Sequence, residues 1–503
     1  MSATLNAPPV ALVIAPDDDV AVALRDLAQG EDVEIGAATI ALLDPIARGH
    51  KLAVRDIRAG EPVRRYGWPI GRATADIRAG AHVHTHNVQT LLSGLDTYRF
   101  EPLPSKAPAD VSRAERTFLG YRRAGGRVGT RNEIWILCTV GCVGRTAERI
   151  ARLAASRFAG RVDGVHAFPH QFGCSQLGGD LDRTRRLLGA LAQHPNAGGV
   201  VIVGLGCESN QLEPLLADLP NVDRTRIRAF SAQAESDETE AGLRAVEELV
   251  RIAEQDRREP CGIDSLCIGV KCGGSDGFSG ITANPLVGRV TDWVTANGGT
   301  SILTEIPEIF GAERLLMQRA ANEQVFDDIV RLVNDFKEYF IRNGEPLHEN
   351  PSPGNIAGGI TTLEEKSLGA VQKGGRAIVT QVLRYGDRVT APGLALLEAP
   401  GNDGVSSTAL VAAGATLVLF TTGRGTPLGF PAPTLKISSN TSLAQNKPHW
   451  IDFDAGQVLS GKDPRTLTEE FIDLIVRVAS GAPAKNELNE EREIAIWKNG
   501  VTL

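Results

Sequence analysis

From about Gly120 onward the chain alternates short apolar runs with amphipathic stretches, and four of the runs lead into a glycine-flanked cysteine. Cys142, Cys174, Cys207 and Cys272 follow one another at gaps of 32, 33 and 65 residues. Gly141, Gly173 and Gly206 precede three of them, and Gly273 and Gly274 follow the fourth. A strand with its crossover helix takes about 30 residues, so the last gap reads as two such units. Runs at 133–140, 164–168, 199–205 and 265–270 have strand length, with helical patterns at 146–158 and 240–254. Such alternation implies parallel sheets covered by helices. Open sheets of this kind bind ligands at their carboxyl ends, and the spacing is compatible with all four thiols on the carboxyl edge of one sheet.

The alternation resumes beyond a polar break at 255–260, with strands expected at 301–305, 394–397 and 416–420 and helices at 326–342 and 464–479. Residues 1–95 differ. Short apolar runs at 10–14 and 38–43 read as strands, 20–27 as a short helix, and Gly49, Gly60, Gly67, Gly71 and Gly80 fall at turn-like spacing. The expectation is an α/β protein: a small, mainly-β domain over 1–95, a linker over 96–119 and α/β domains over 120–258 and 259–503, with largely parallel sheets.

Bulk properties remove whole classes. Of 503 residues, 42% are hydrophobic and 23% charged, as in a globular protein rather than a disordered or fibrous one. A net charge of -8 argues against nucleic acid and anionic membranes as partners. No run approaches a membrane span, and the N-terminal stretch lacks the pattern of a secretory signal. Seven scattered cysteines suit reduced thiols in the cytoplasm.

Three constellations could carry chemistry. In His82-Val83-His84-Thr85-His86-Asn87, an extended backbone would project three imidazoles from one side, and imidazole is both a common metal ligand and a proton carrier near neutral pH. The cysteine quartet, accompanied by His170 and Glu208, suits iron or zinc, whereas Cys138, Cys261 and Cys267 lie in or beside apolar runs and read as core. The run Cys272–Pro285 offers amides and hydroxyls to a carboxylate or polyhydroxy chain and is neither a GxGxxG nor a Walker loop. Arg424, in Thr422-Gly423-Arg424-Gly425-Thr426-Pro427, could clamp a carboxylate through both arms of its guanidinium. Glu305 and Glu308 could supply general acid/base groups.

At these residues, over almost its whole length, the sequence resembles the altronate/galactarate dehydratase family. The resemblance is carried by Gly49-His50-Lys51, Tyr66-Gly67 with Pro69-Ile70-Gly71, the HVHTHN run and Gly129-Thr130-Arg131-Asn132-Glu133. It continues through the Gly-Cys-Ser-Gln-Leu-Gly around Cys174, residues 204–208 and 272–285, Asn350-Pro351-Ser352-Pro353-Gly354-Asn355, residues 422–427 and Trp450–Gly456. It implies a SAF-type first domain and an iron-dependent lyase converting D-altronate to 2-dehydro-3-deoxy-D-gluconate and water, with no nicotinamide or nucleotide. The tri-histidine run is typical of the altronate-acting branch. Arg65, Pro169 and Lys271 depart from the family pattern, the last by adding positive charge beside the expected site.

The resulting expectations are His170, Glu305, His84 and His86 in catalysis; His82, Asn87, Ser275, Asp276, Thr282, Asn284 and Arg424 on substrate; and Cys142, Cys174, Cys207 and Cys272 on iron, either as a single ion or as an iron–sulfur cluster. The expected partner is a small sugar acid, and a homo-oligomer is left open. The alternatives are galactarate or another sugar acid as substrate, elimination of sulfite from sulfolactate, and a non-catalytic sugar-acid sensor.

Overall fold

The computed structural model describes residues 9–103, 116–219 and 222–503, so half of the expected linker lies outside the described residues. The first domain is built from short antiparallel strands. Ala11–Leu12, Val20–Ala23, Lys51–Ala53 and His82–Val83 form one sheet in that order. Pro62–Arg65, Trp68–Ala73 and Val88–Gln89 form a second, and Asp32–Ile35 with Ala38–Ala41 a hairpin. Residues 20–27, expected as a helix, contain an edge-to-edge buried strand instead. Val-Ala-Val-Ala places a β-branched residue at every second position, and Val20–Ala23 pairs with neighbours on both sides.

The second domain is a four-stranded parallel sheet in the order Gly164–Phe168, Glu133–Cys138, Ala197–Gly204, Ile227–Ser231. Its central strands are buried along their whole length, which explains why they read as continuous apolar runs rather than alternating ones. Helices Gly144–Arg157 and Glu238–Ala253 pack one face with a separate core.

The third domain holds seven parallel strands in the order Val379–Leu383, Gly393–Leu397, Thr300–Leu303, Cys267–Cys272, Leu417–Thr422, Thr434–Ser438, Phe453–Asp454. Cys267–Cys272 is therefore the middle strand. Helices Glu323–Arg342 and Pro464–Ala479 begin at Asn322 and Asp463, whose side chains accept backbone N–H groups of the first turn. The strand order corrects the single-sheet reading of the cysteines: Cys142, Cys174 and Cys207 follow strands of the second domain, and Cys272 ends the central strand of the third. The 65-residue gap spans a domain boundary rather than two units of one sheet.

The first domain lies directly on the third, and one hydrophobic core runs through both. Their backbones meet at glycines. A Cβ on Gly277 would stand 2.0 Å from the Gly49 carbonyl oxygen, and one on Gly359 (φ +98°) 2.3 Å from the same atom. Only glycine permits this approach. No described helix is long and apolar enough to cross a membrane.

Candidate active site

The carboxyl end of the central strand opens into a buried charged cluster. Cys272 Sγ lies 3.2 Å from Glu308 Oε2 and accepts a hydrogen bond from Lys373 Nζ at 2.8 Å. Burial pushes the thiol up to about 12, so it is a neutral S–H that donates to Glu308. Glu305 sits at the end of the adjacent strand in the left-handed region (φ +68°) and takes the Cys272 N–H at 3.0 Å. Its Oε1 is 3.0 Å from Lys271 Nζ, which also bonds Asp403. The positive charge of Lys271 is thereby balanced inside the cluster. Burial raises the pKa of Glu305, and Glu308 adds to the rise against the pull of Lys271. Burial would also raise Glu308, but Lys366, 2.8 Å away, together with Lys373 and the Cys272 thiol, outweighs it and holds Glu308 at about 2. Lys366 is further fixed by Asn350 Oδ1 (2.9 Å) and Asn355 Oδ1 (3.1 Å). Two neighbouring carboxylates thus hold opposite proton affinities, an arrangement suited to acid–base work.

The glycine-rich loop after Cys272 spends most of its polar groups on itself. Asp276 Oδ1 accepts from Phe278 N, Ser279 N, Ser279 Oγ and Ser439 Oγ at 2.7–3.1 Å, and Oδ2 from Asn440 Nδ2 at 3.1 Å. Thr282 Oγ1 donates to backbone carbonyls, and Asn284 bridges Gly369 O and Thr421 Oγ1. These three, expected on substrate, are buried and committed to holding the loop in shape. Ser275, also buried, gives its carbonyl to Asn355 Nδ2. Arg424 is different: it is exposed, its Cβ lies against Gly274, and its guanidinium forms no hydrogen bond or ion pair with the described residues.

At the seam with the first domain, the expected extended run is a strand of two residues, His82–Val83, followed by a turn. Asn87 makes that turn, with Oδ1 accepting from His84 N and Nδ2 donating to His82 O, so its role is structural rather than substrate-binding. The rings still gather. His82 lies 5.4 Å from both His84 and His86, centroid to centroid, and His50 joins them at 5.2 Å from His82 and 4.9 Å from His84. His50 Nδ1 faces His82 Nε2 at 3.1 Å; His84 Nδ1 faces Thr361 Oγ1 at 3.1 Å. Burial lowers His82 to about 4 and His84 to about 3, so both are neutral at pH 7. Beneath them Lys51 and Arg65 of the first domain share Glu365 of the third, with all three side chains at most 1% exposed.

The second domain does not join this arrangement as expected. His170 is buried, its Nε2 2.8 Å from Cys138 O and its Nδ1 accepting from Phe172 N at 3.1 Å. Both ring nitrogens are taken up by backbone, so His170 braces its loop and offers no free nitrogen to a substrate. Cys142, Cys174 and Cys207 are exposed on adjacent loops, joined through Gly141 N–H to Phe172 O (2.9 Å) and Asn210 N–H to Gly173 O (3.0 Å). The four thiols therefore do not converge on one ion. Among the described residues, Cys272, Glu305 and Glu308 are the one set of three His, Cys, Asp or Glu donors within 4.8 Å of each other. Lys271, Lys366 and Lys373 already balance Glu305, Glu308 and Asp403 there.

Sequence reasoning missed Lys366, Lys373, Glu365 and Thr361, and gave His50 no role. The helix Leu363–Ala370 is buried at every residue, including Glu364, Glu365 and Lys366, and its composition gives no sign of that. The Asn-Pro-Ser-Pro-Gly-Asn run was the available signal for Asn350 and Asn355.

Opposed carboxylates, an arginine with no side-chain partner among the described residues and a group of gathered imidazoles suit the acid–base chemistry of a lyase acting on a small anionic molecule. Comparison with known proteins gives the particular kind. Residues 9–91 match the altronate/galactarate dehydratase SAF domain, 120–254 the second domain of D-galactarate dehydratase/altronate hydrolase, and 263–502 the D-galactarate/altronate dehydratase C-terminal domain. The chain is 53% identical to the altronate dehydratase of Escherichia coli (strain K12) over 97% of its own length and 98% of that protein. It is 49% identical to the altronate dehydratase of Bacillus subtilis (strain 168), over 97% and 99% respectively. The galactarate dehydratase (L-threo-forming) of Escherichia coli is 34% identical over 92% and 91%. The chain belongs to the altronate/galactarate dehydratase family of hydro-lyases.

Proposed function

We propose that this protein eliminates water from D-altronate to give 2-dehydro-3-deoxy-D-gluconate, in the cytoplasm, with iron and without a nicotinamide or nucleotide. The observation that carries the reading is the near-complete match to altronate dehydratases at about half identity, well above that to the galactarate enzyme. The imidazole cluster supports it, since it lies where a substrate held between the first and third domains would meet it.

Dehydration of a 2,3-dihydroxy acid removes the weakly acidic C2 proton and the C3 hydroxyl. Arg424, exposed and free of side-chain partners, binds the substrate carboxylate with its planar fork. Glu305, made more basic by burial, is the base, and Lys271 keeps its charge compensated once it has given up a proton. His86, the exposed member of the imidazole group, supplies the proton to the departing hydroxyl. Iron, when bound, supplies Lewis-acid stabilisation of the enediolate charge.

The test is a panel of aldonates and aldarates, with sulfolactate, assayed for 2-keto-3-deoxy product. Altronate should react, and altronate deuterated at C2 should lose its label. Retention of the label would refute the elimination. Product from galactarate or sulfolactate alone would keep the chemistry and move the substrate.

A further inference from the structure

We infer that a cleft between the second and third domains binds a small phosphate monoester, held by Arg127 of the second domain and Arg388 of the third. The inference goes beyond the dehydratase reading and needs no part of it. The cleft lies at the amino ends of the parallel strands, away from the buried charged cluster. Ala197 and Ile227 line it at the starts of Ala197–Gly204 and Ile227–Ser231, and Arg388 lies just ahead of Gly393–Leu397. Cys272, Glu305 and Glu308 stand instead at or beyond the carboxyl ends of their strands.

Each guanidinium carries five N–H bonds. Arg127 Nη2 donates to Val389 O at 2.8 Å, which sets its charge against the residue next to Arg388. Arg388 donates to Gln193 Oε1 at 2.8 Å and to Gln193 O at 2.7 Å, so it reaches across to the second domain. All of these acceptors are neutral, and Arg388 Nε is buried without a hydrogen-bond partner. Burial lowers the pKa of Arg127; burial, and then Arg127 itself, lower that of Arg388 to about 10. Among the described residues no carboxylate offsets either charge. The other cations of the cleft are matched. Arg123 and Arg226 each sit 2.8 Å from Asp256, and Arg186 sits 3.5 Å from Asp387. Asp218 also lines the cleft, but it is exposed and screened by solvent and salt. Neutral side chains could make the same hydrogen bonds without the cost of two half-buried like charges, a cost that a bound anion offsets.

Charge and room select the ligand. A phosphate monoester carries about −1.5 to −2 at pH 7 and presents three strong acceptor oxygens, which matches a pair of guanidiniums; a carboxylate brings a single charge. The cleft encloses about 1220 Å³, more than a bare phosphate fills and near the upper end for small organic ligands, roughly 300–1,000 Å³. Ala192, Pro195, Val200 and Ile227 give it an apolar wall for the organic part. A phosphate held by both arginines ties the second domain to the third.

The test titrates full-length protein with phenyl phosphate, and with benzoate as the monoanion of the same ring, at one ionic strength, reading calorimetry and Tm. Phenyl phosphate should bind once per chain, raise Tm and bind at least about tenfold more tightly than benzoate. Arg127→Gln and Arg388→Gln keep a donor and lose the charge. Each should weaken phenyl phosphate at least about tenfold, with Tm in its absence at or above that of wild type, because an uncompensated charge has gone. Gly125→Glu is the second kind of variant: a Cβ there meets nothing within 4 Å, so the fold is spared, and the new carboxylate should repel the anion from the cleft. Arg424→Gln, at the active site, should bind phenyl phosphate as wild type does. Absence of binding to wild type, benzoate bound as tightly, or loss of binding in Arg424→Gln would each overturn the inference. So would a lowered Tm with undiminished binding in Arg127→Gln and Arg388→Gln, which would make the pair a brace between domains and nothing more.

Discussion

Replacing Glu365 by glutamine removes the one negative charge between Lys51 and Arg65, and the structure sets the size of the effect. Glu365 is buried and accepts from both cations and from Thr361 N at 2.7 Å. Burial alone would raise its pKa, but the two cations bring it down to about 2 from 4.5. That shift corresponds to about 3 kcal/mol of stability at neutral pH. Burial lowers Lys51 from 10.5 to about 8, which costs a similar amount while the ammonium stays charged. The intact group is therefore close to neutral in net stability, yet breaking it leaves two buried cations unpaired and should cost about 3–5 kcal/mol. Urea unfolding of wild type and Glu365→Gln at pH 7 measures the loss. The sign with pH follows from the carboxylate: its contribution is present above about pH 4.5 and fades as pH falls toward 2, so the gap between the two proteins should close over that window. A triple variant, Lys51→Met, Arg65→Met and Glu365→Leu, should recover most of the lost stability, because it removes the charges together. A Glu365→Gln protein as stable as wild type, or a triple variant less stable than the single one, would refute the reasoning.

Arg424→Lys keeps the charge and loses the fork, so kcat/KM on the sugar acid should fall about 10–100-fold with unfolding unchanged. His170→Gln should lower stability by about 1–3 kcal/mol through its two backbone bonds and leave kcat within a few-fold of wild type. A collapse of kcat in a stable His170→Gln protein would return that ring to the chemistry.

What could be read in the sequence followed from burial on both faces of a strand. Glu133–Cys138, Ala197–Gly204 and Leu417–Thr422 are apolar throughout because helices cover both sides, and that pattern survives without knowledge of the partners. Polar residues in glycine-rich loops were legible as important and misread in kind. Asp276, Thr282, Asn284 and Asn87 were expected to face a ligand, yet each is consumed in fixing the backbone that presents other groups. Spacing alone cannot tell these roles apart, since an Asp that closes a turn and one that meets a substrate occupy the same kind of loop. Lys366 and Glu365 were invisible because their meaning comes from Glu308, about sixty residues earlier, and Lys51, about three hundred. The cysteine period was real within the second domain and failed where the chain began a new sheet.

The position of Cys267–Cys272 in the middle of its sheet has a consequence for biosynthesis. Its two neighbours, Thr300–Leu303 and Leu417–Thr422, emerge from the ribosome at very different times. At about 5–20 residues per second, the second of them follows Cys272 by roughly 7–30 s. For that interval one flank of an apolar, glycine-ended strand has no partner, which is the condition that invites pairing with another nascent chain. Substitutions that weaken Leu417–Thr422 should therefore reduce the yield of soluble protein in rapid expression more than they reduce the activity of the molecules that do fold, and slower synthesis at low temperature should restore the yield.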